Sequence, residues 1–233
     1  MKLIKHLANL GYGSRREVSQ LLRAGWFTDE HGTALDENCV QSHECIRFRG
    51  EMLDPPAPLV IMLHKPIGYT CSRDEDGDLI YDLLPPRFAK RLPTLSSVGR
   101  LDKDTSGLLL LTDDGKFLHR IIHPKSKCRK CYRVTLDRPL EGTEAEVFAS
   151  GSLMLHGERG PLLPAEMRIE SPQIAFIDLL EGRYHQVRRM FAAVGNHVTA
   201  LERLSIGSLN LPIDLPVGEW RVLSPQEIAS ITS

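Results

Sequence analysis

Val98-Gly99-Arg100-Leu101-Asp102-Lys103-Asp104-Thr105-Ser106-Gly107-Leu108-Leu109-Leu110-Leu111-Thr112-Asp113-Asp114-Gly115 decides how this chain is read. A loop of cations, carboxylates and small turn residues runs into four leucines and stops at a Thr-Asp-Asp-Gly turn. The apolar run is too short for a free-standing helix and is bounded by turn signals, so it predicts a buried strand. Asp102 then lies in the loop that feeds the strand, where a rigid element holds it. Taken alone, an Asp in such a loop is most simply a turn or cap residue bonding its own backbone.

Working outward, Leu59-Val60-Ile61-Met62-Leu63 has the length of a buried strand, and His64-Lys65-Pro66-Ile67-Gly68 turns it. Phe117, Leu118, Ile121 and Ile122 fall at helical spacing after the Asp113-Asp114-Gly115 turn. In Tyr132-Arg133-Val134-Thr135-Leu136 strand alternation puts Tyr132 on the face of Val134 and Leu136, the pattern of a core aromatic. A strand from Ile174 to Leu180, a Glu181-Gly182 turn and a helix burying Val187, Met190, Phe191 and Val194 follow. Strands joined by turns, with few long helices between them, predict an α+β fold with a mixed, mostly antiparallel sheet rather than a doubly wound parallel one.

The N-terminal part reads as a separate small module. Leu3, Leu7 and Leu10 have helical spacing, and Gly11-Tyr12-Gly13 ends the run. Ser14-Arg15-Arg16-Glu17 has the form of a capping box, in which Ser and Glu side chains satisfy each other's free amides at a helix start. Val18, Leu21 and Leu22 continue that helix up to Gly25, and Ile46 and Phe48 alternate with Arg47 and Arg49 as on a half-buried strand. Asp54-Pro55-Pro56-Ala57-Pro58 excludes helix and favours extended chain. The expected division is therefore a domain over 1–54, a linker over 55–58 and a second domain over 59–233.

The formal net charge is only −1, but its distribution is uneven. Lys2, Lys5, Arg15, Arg16 and Arg23 face a single acid, Glu17, within the first 25 residues. From Lys116 to Arg133 the chain carries Lys116, Arg120, Lys125, Lys127, Arg129, Lys130 and Arg133 and no acid. Such stretches are either solvated surface or phosphate-tracking surface. Asp74-Glu75-Asp76-Gly77-Asp78 has no calcium-loop register, because Pro85 stands where the bidentate Glu belongs. Cys128-Arg129-Lys130-Cys131 has no second pair to complete a zinc site and is read as structural. An odd number of cysteines, five, and no apolar leader or membrane-length run lead to the expectation of a cytoplasmic protein.

Gly99-Arg100-Leu101-Asp102-x-x-Thr105-Ser106-Gly107-Leu108 resembles the catalytic signature of the pseudouridine synthases, in the branch that modifies ribosomal RNA. Lys65-Pro66-Ile67-Gly68, Lys130-Cys131-Tyr132 and Gly182-Arg183-Tyr184-His185-Gln186-Val187-Arg188-Arg189 resemble further elements of that branch in matching order. The N-terminal module is similar to S4-type RNA-binding domains, although Trp26-Phe27 and Asp29-Glu30 replace that family's smaller turn residues.

The resemblance implies that Asp102 is the essential aspartate, as nucleophile or base, and that Tyr132 meets the target base. It also implies that Arg188, or as second choice Arg183, pairs with Asp102. RNA contacts are expected from Lys5, Arg15, Arg16, Arg23, Arg100, Lys125, Lys127, Arg129, Lys130 and Arg183. The implied reaction turns uridine into pseudouridine with no cofactor and no metal. Tyr184-His185 resembles the small-subunit members, so a monomer acting on 16S rRNA, free or partly assembled, is expected; 23S rRNA is the alternative. An RNA-binding assembly factor is argued against by Asp102, and a carboxylate hydrolase by the cations around its second carboxylate.

Overall fold

The computed structural model describes residues 2–74, 76–123 and 126–231; Glu75 of the acidic loop and Lys125 of the basic stretch lie outside the described residues. Helices α1 (Leu3–Asn9) and α2 (Arg15–Arg23) open the chain. Ser14 Oγ accepts the Glu17 amide at 3.3 Å while a Glu17 carboxylate oxygen accepts the Ser14 amide at 2.7 Å, so the capping box forms. Three short strands, β1 (Phe27–Thr28), β2 (Arg47–Phe48) and β3 (Glu51–Met52), pair antiparallel in that order. Leu3, Leu7, Leu10, Val18, Leu22, Phe27, Leu35, Ile46 and Leu53 bury a core drawn only from this part of the chain.

Strands β4 (Val60–Lys65), β5 (Ser96–Ser97) and β6 (Thr105–Thr112), helix α3 (Gly115–Ile122), strand β7 (Lys130–Leu136) and helix α4 (Glu144–Ala149) come next. They are followed by β8 (Glu166–Ser171), β9 (Ile174–Leu179), α5 (Gln186–Ala193), β10 (Val198–Ile206), β11 (Leu209–Asn210), β12 (Trp220–Val222) and α6 (Pro225–Ser230). Among the described residues nine strands form one sheet, ordered β12-β4-β6-β10-β7-β9-β8, with β5 on β6 and β11 on β10. Each neighbouring pair is antiparallel except β6 and β10. The fold is α+β with a mixed, mostly antiparallel sheet.

Strand β6 starts at Thr105, three residues before the leucine run, so the loop holding Asp102 is shorter than that run alone suggests. Leu108 to Leu111 have no exposed surface because both faces of β6 are covered. Leu108 and Leu110 pack with Phe117 and Ile121 of α3, and Leu109 and Leu111 with Ile80, Leu84, Phe88 and Leu95. A strand buried on both sides reads as a continuous apolar run rather than an alternating one. Farther along the sheet, Phe148 of α4 and Val187, Met190 and Phe191 of α5 pack on Val134, Ile177 and Leu201.

The N-terminal module meets this sheet body through residues 87–92. Leu92 donates its amide to the Asn9 carbonyl at 2.8 Å, and Arg87 forms an ion pair with Asp54. Arg91 is buried, donates to the Pro55 carbonyl at 2.8 Å and lies 3.5 Å from Asp113, whose other oxygen accepts the Leu59 amide at 2.7 Å. One acidic residue at the end of β6 thus ties both ends of the linker. No helix among the described residues is long and apolar enough to cross a membrane.

Gly107 is required where β6 crosses β10. Its φ is +105°, and a Cβ there would lie 2.3 Å from the Arg203 carbonyl oxygen and 2.6 Å from the Arg203 nitrogen. Backbone atoms cannot yield as a flexible side chain does, so Gly107→Ala is expected to lower stability by about 3 kcal/mol or more. Urea unfolding measures this, and an unchanged midpoint would refute it.

Candidate active site

Register across the sheet sets one row of side chains beside the Asp102 loop. Lys65 on β4 stands opposite Gly107 on β6, Gly107 beside Arg203 on β10, and Arg203 opposite Tyr132 on β7. Directly opposed residues project to one face, so Lys65, Arg203 and Tyr132 share it, with a glycine gap between the first two.

Lys65 is fully buried, and its three ammonium donors are all used. They reach the carbonyls of Pro66 at 2.9 Å, Asp102 at 3.1 Å and Thr105 at 2.9 Å. Burial pushes the ammonium below its ordinary pKa, against the opposing pull of Cys71, Asp102 and Asp104. The Asp102 loop is also closed on itself, with the Thr105 amide donating to the Asp102 carbonyl at 3.0 Å. The carboxylate is therefore carried on a main chain that has little freedom to move.

Asp102 is half-buried, and burial holds its carboxyl above the usual carboxylate pKa. His185 opposes this most strongly, with Arg188 and Arg100 acting in the same direction, while Asp104 pushes the pKa further up. The contact to Asp102 comes from His185, whose Nε2 lies 3.4 Å from an Asp102 carboxylate oxygen. His185 precedes α5 in a left-handed conformation, φ +48° and ψ 34°, which brings the imidazole to this loop ahead of the helix. A non-glycine residue held in that region costs of order 1 kcal/mol and is a recurrent feature of functional sites.

Two expected pairings are corrected by this geometry. Arg188 does not contact the Asp102 carboxylate: it pairs with the Asp104 carboxylate at 2.8 Å, and donates to the carbonyls of Asp104 at 3.1 Å and Val198 at 2.9 Å. One turn into α5, it reaches the outer end of the loop rather than its centre. It still braces the segment that Lys65 holds from within. Arg183, the second choice, is engaged by Glu158 and Glu181 and by the Gly160 and Pro161 carbonyls.

Tyr132 is half-buried and packs against both the cluster of Val134, Ile177 and Leu201 and that of Leu63, Leu109 and Leu111. Beside it Arg203 is almost fully buried; its Nε donates to the Leu108 carbonyl at 2.8 Å, and its Nη2 has no hydrogen-bond partner. Sequence reasoning passed over Arg203 and gave His185 no role. The position of Arg203 depends on the parallel pairing of β6 with β10, a register that no local pattern contains. The one local signal for His185 is its place in the Gly182–Arg189 element, between Arg183 and Arg188.

The basic residues divide into two groups. Lys5, Arg15, Arg16 and Arg23 are exposed on the N-terminal helices, with Arg23 3.3 Å from Glu37, and Arg100 and Lys127 are exposed on the sheet body. Arg129 is instead held by Glu166 at 3.2 Å and Asp178 at 3.5 Å, and Arg133 by Glu170 at 3.0 Å. Arg129 and Arg183, expected as RNA contacts, thus each sit beside carboxylates in this structure. Lys130 is half-buried beside Cys128 and Arg203, and burial lowers its pKa. Burial, with Asp178 adding to it, pushes the Cys131 thiol up to about 11, and burial also raises Cys128. Neither thiol is a nucleophile at neutral pH. Among the described residues no three His, Cys, Asp or Glu side chains converge as a metal site.

A half-buried aspartate on a doubly braced loop, at the head of a row containing a tyrosine and buried cations, defines a class as well as a site. Residues 59–193 match the family model of the RNA pseudouridylate synthases, and the chain belongs to that family. It is similar over nearly its whole length to "Ribosomal small subunit pseudouridine synthase A" of Vibrio cholerae serotype O1, 40% identical over 99% of each chain. The protein of the same name from Escherichia coli K12 is 43% identical, over 87% of this chain and 81% of that one. A crystal structure described as a pseudouridylate synthase superposes with a TM-score of 0.71, at 38% identity, over 99% of each chain.

A rate that needs ionised Asp102 falls as pH drops through a pKa above the ordinary carboxylate range. Replacing His185 by Gln removes the strongest pull on that pKa, so the acidic limb of the pH–rate profile moves to higher pH. Profiles of the two proteins measure this, and coincident acidic limbs would refute it.

Proposed function

We propose that this chain converts a uridine of small-subunit ribosomal RNA into pseudouridine, with Asp102 as its essential group. The observation that supports this best is the main-chain clamp around Asp102. Lys65 and Arg188 hold the loop through its carbonyls and leave the Asp102 carboxylate to face His185. The reaction breaks the ribose C1′ bond to uracil N1 and forms a C1′ bond to C5. The C5 proton is lost and N1 gains one, so atoms and electrons balance without an oxidant or reductant.

Asp102 meets the electron-poor C1′ that bond breaking creates, as covalent nucleophile or as electrostatic partner and base. A raised pKa makes the carboxylate a better proton acceptor, while His185, Arg188 and Arg100 pull toward its ionised form. Tyr132 stacks against the freed uracil while it turns. Arg203, unpartnered at one nitrogen and level with Tyr132, lines the same row.

Reaching a uridine within folded RNA requires extruding it, at a cost of about a few kcal/mol that backbone contacts offset. We assign those contacts to Arg100 and Lys127 on the sheet body. To them we add an S4-like domain over residues 1–54, whose Lys5, Arg15 and Arg16 lie on exposed helix surface. The protein acts as a monomer in the cytoplasm, on 16S rRNA that is free or partly assembled.

Tritium release from C5-labelled uridine tests this reading on 16S and 23S rRNA, each presented free and in partly assembled particles. Release from 16S rRNA is expected, and Asp102→Asn is expected to reduce it by roughly a thousandfold or more while RNA binding persists. Binding of both RNAs without release would replace the enzyme by an RNA-binding factor.

A further inference from the structure

Tyr184 has no part in the chemistry described so far, yet it is among the most deliberately placed aromatic rings in the molecule. It is 75% exposed, and its ring lies parallel to that of His185, with centroids 3.9 Å apart and planes 15° from each other. The imidazole beneath is in turn fixed by Asp102 at 3.4 Å. The backbone around the pair is tied down as well. The Tyr184 carbonyl accepts from Arg189 Nη1 at 3.1 Å and the His185 carbonyl from the Arg189 amide at 3.0 Å, while Glu158 holds Arg189 at 2.7 Å. An exposed ring that only covered core would not need this support, and there is no core beneath it.

We propose that Tyr184, seated on His185, is a stacking platform for the base of the nucleotide next to the target uridine. This deepens the synthase reading above and rests on it. The target uracil already has an aromatic partner in Tyr132, which lies in the sheet row on β7. Tyr184 stands on the loop before α5 and reaches Asp102 only through one intervening imidazole. A base lying on the outer face of Tyr184 is thus one aromatic layer farther from the carboxylate than the group that touches it. That is the place of a neighbour, not of the nucleotide whose C1′ must meet Asp102.

Extruding a uridine strips its neighbours of a stacking partner, and a fixed aromatic plane replaces what they lose. Every base has a π-face, so the platform reads the presence and size of the neighbouring base rather than its hydrogen-bonding edge. Tyr184 is then a substrate-positioning residue. Its contribution falls mainly on KM, and Phe serves almost as well as Tyr.

The experiment compares wild type, Tyr184→Ala and Tyr184→Phe on 16S rRNA in which the modified uridine has been mapped. Each RNA is used intact, or with an abasic nucleotide on the 5′ or the 3′ side of that uridine. On intact RNA, Tyr184→Ala is expected to lower kcat/KM by roughly 5- to 150-fold, chiefly through KM, the range of one base stacked on one aromatic ring. Tyr184→Phe stays within about twofold of wild type. Removing one neighbouring base costs the wild type a similar factor, and on that RNA Tyr184→Ala and wild type become equal.

If Tyr184→Ala loses nothing on intact RNA, the platform does not exist. If it loses the same factor on intact RNA and on both abasic RNAs, the ring serves the target base or acts through His185, and the proposal is overturned. Failure of the synthase reading is separate, because wild type would then release no tritium from any of these RNAs. Thermal unfolding checks the variants, and an exposed side chain predicts unchanged midpoints.

Discussion

One buried ammonium sets the geometry on which the rest depends. Lys65 has lost all contact with water, and nothing in its surroundings replaces water except three backbone carbonyls. An ammonium buried without those acceptors would be costly enough to lose its proton or unfold its surroundings. The requirement works in both directions. The lysine needs the loop to bring its carbonyls to one point, and the loop is thereby held in the one conformation that presents Asp102. Arg188 adds a second clasp at the outer end, through the Asp104 and Val198 carbonyls. Main-chain atoms are the ones held, so the carboxylate stays free for chemistry.

The surrounding electrostatics follow from the same economy of space. The Arg203 guanidinium lowers the pKa of both Lys65 and Lys130, adding to burial, and all three are partly or wholly withdrawn from solvent. Concentrating positive charge under a site that handles an anionic polymer is sensible, and it explains why an overall charge of −1 is no obstacle. The outer cations behave differently. Arg129, Arg133, Arg183 and Arg189 are neutralised by carboxylates and serve to hold strands and loops together.

What could be read from the residues was whatever depends on neighbours in the chain. The capping box at Ser14, the strand of leucines, the helix after Asp114 and the interruption by prolines at 55, 56 and 58 are local, and each is found where its pattern put it. Asp102 and Tyr132 were singled out by motif, and the fold places both beside the same sheet row. The partners of the arginines were not legible, because Glu158, Glu166, Glu170 and Asp178 come from other strands and loops. Nor could helical spacing foretell that a left-handed residue before α5 would set His185 ahead of Arg188 at the aspartate. Arg203 was hidden for a related reason, since its neighbours are fixed by register between distant strands.

The parallel pairing of β6 with β10 has a consequence for how the molecule comes into being. A parallel pair cannot be closed by a tight turn, and here almost the whole of α3, β7, α4, β8, β9 and α5 lies between the two strands. Contacts of such wide sequence separation are slow to form, because a long loop must be closed before they contribute. During synthesis the Asp102 loop emerges early with β4 and β5 already available to its strand, yet the edge at Thr105–Gly107 lacks its neighbour until Val198–Ile206 has left the ribosome. The half-made chain therefore carries a β6 whose faces can be covered by α3 and residues 80–95 but whose edge at Thr105–Gly107 is open, the kind of unpaired edge that invites association. The strand that completes the Lys65–Arg203–Tyr132 row is also the one that closes this edge, so the finished row and safety from aggregation arrive together.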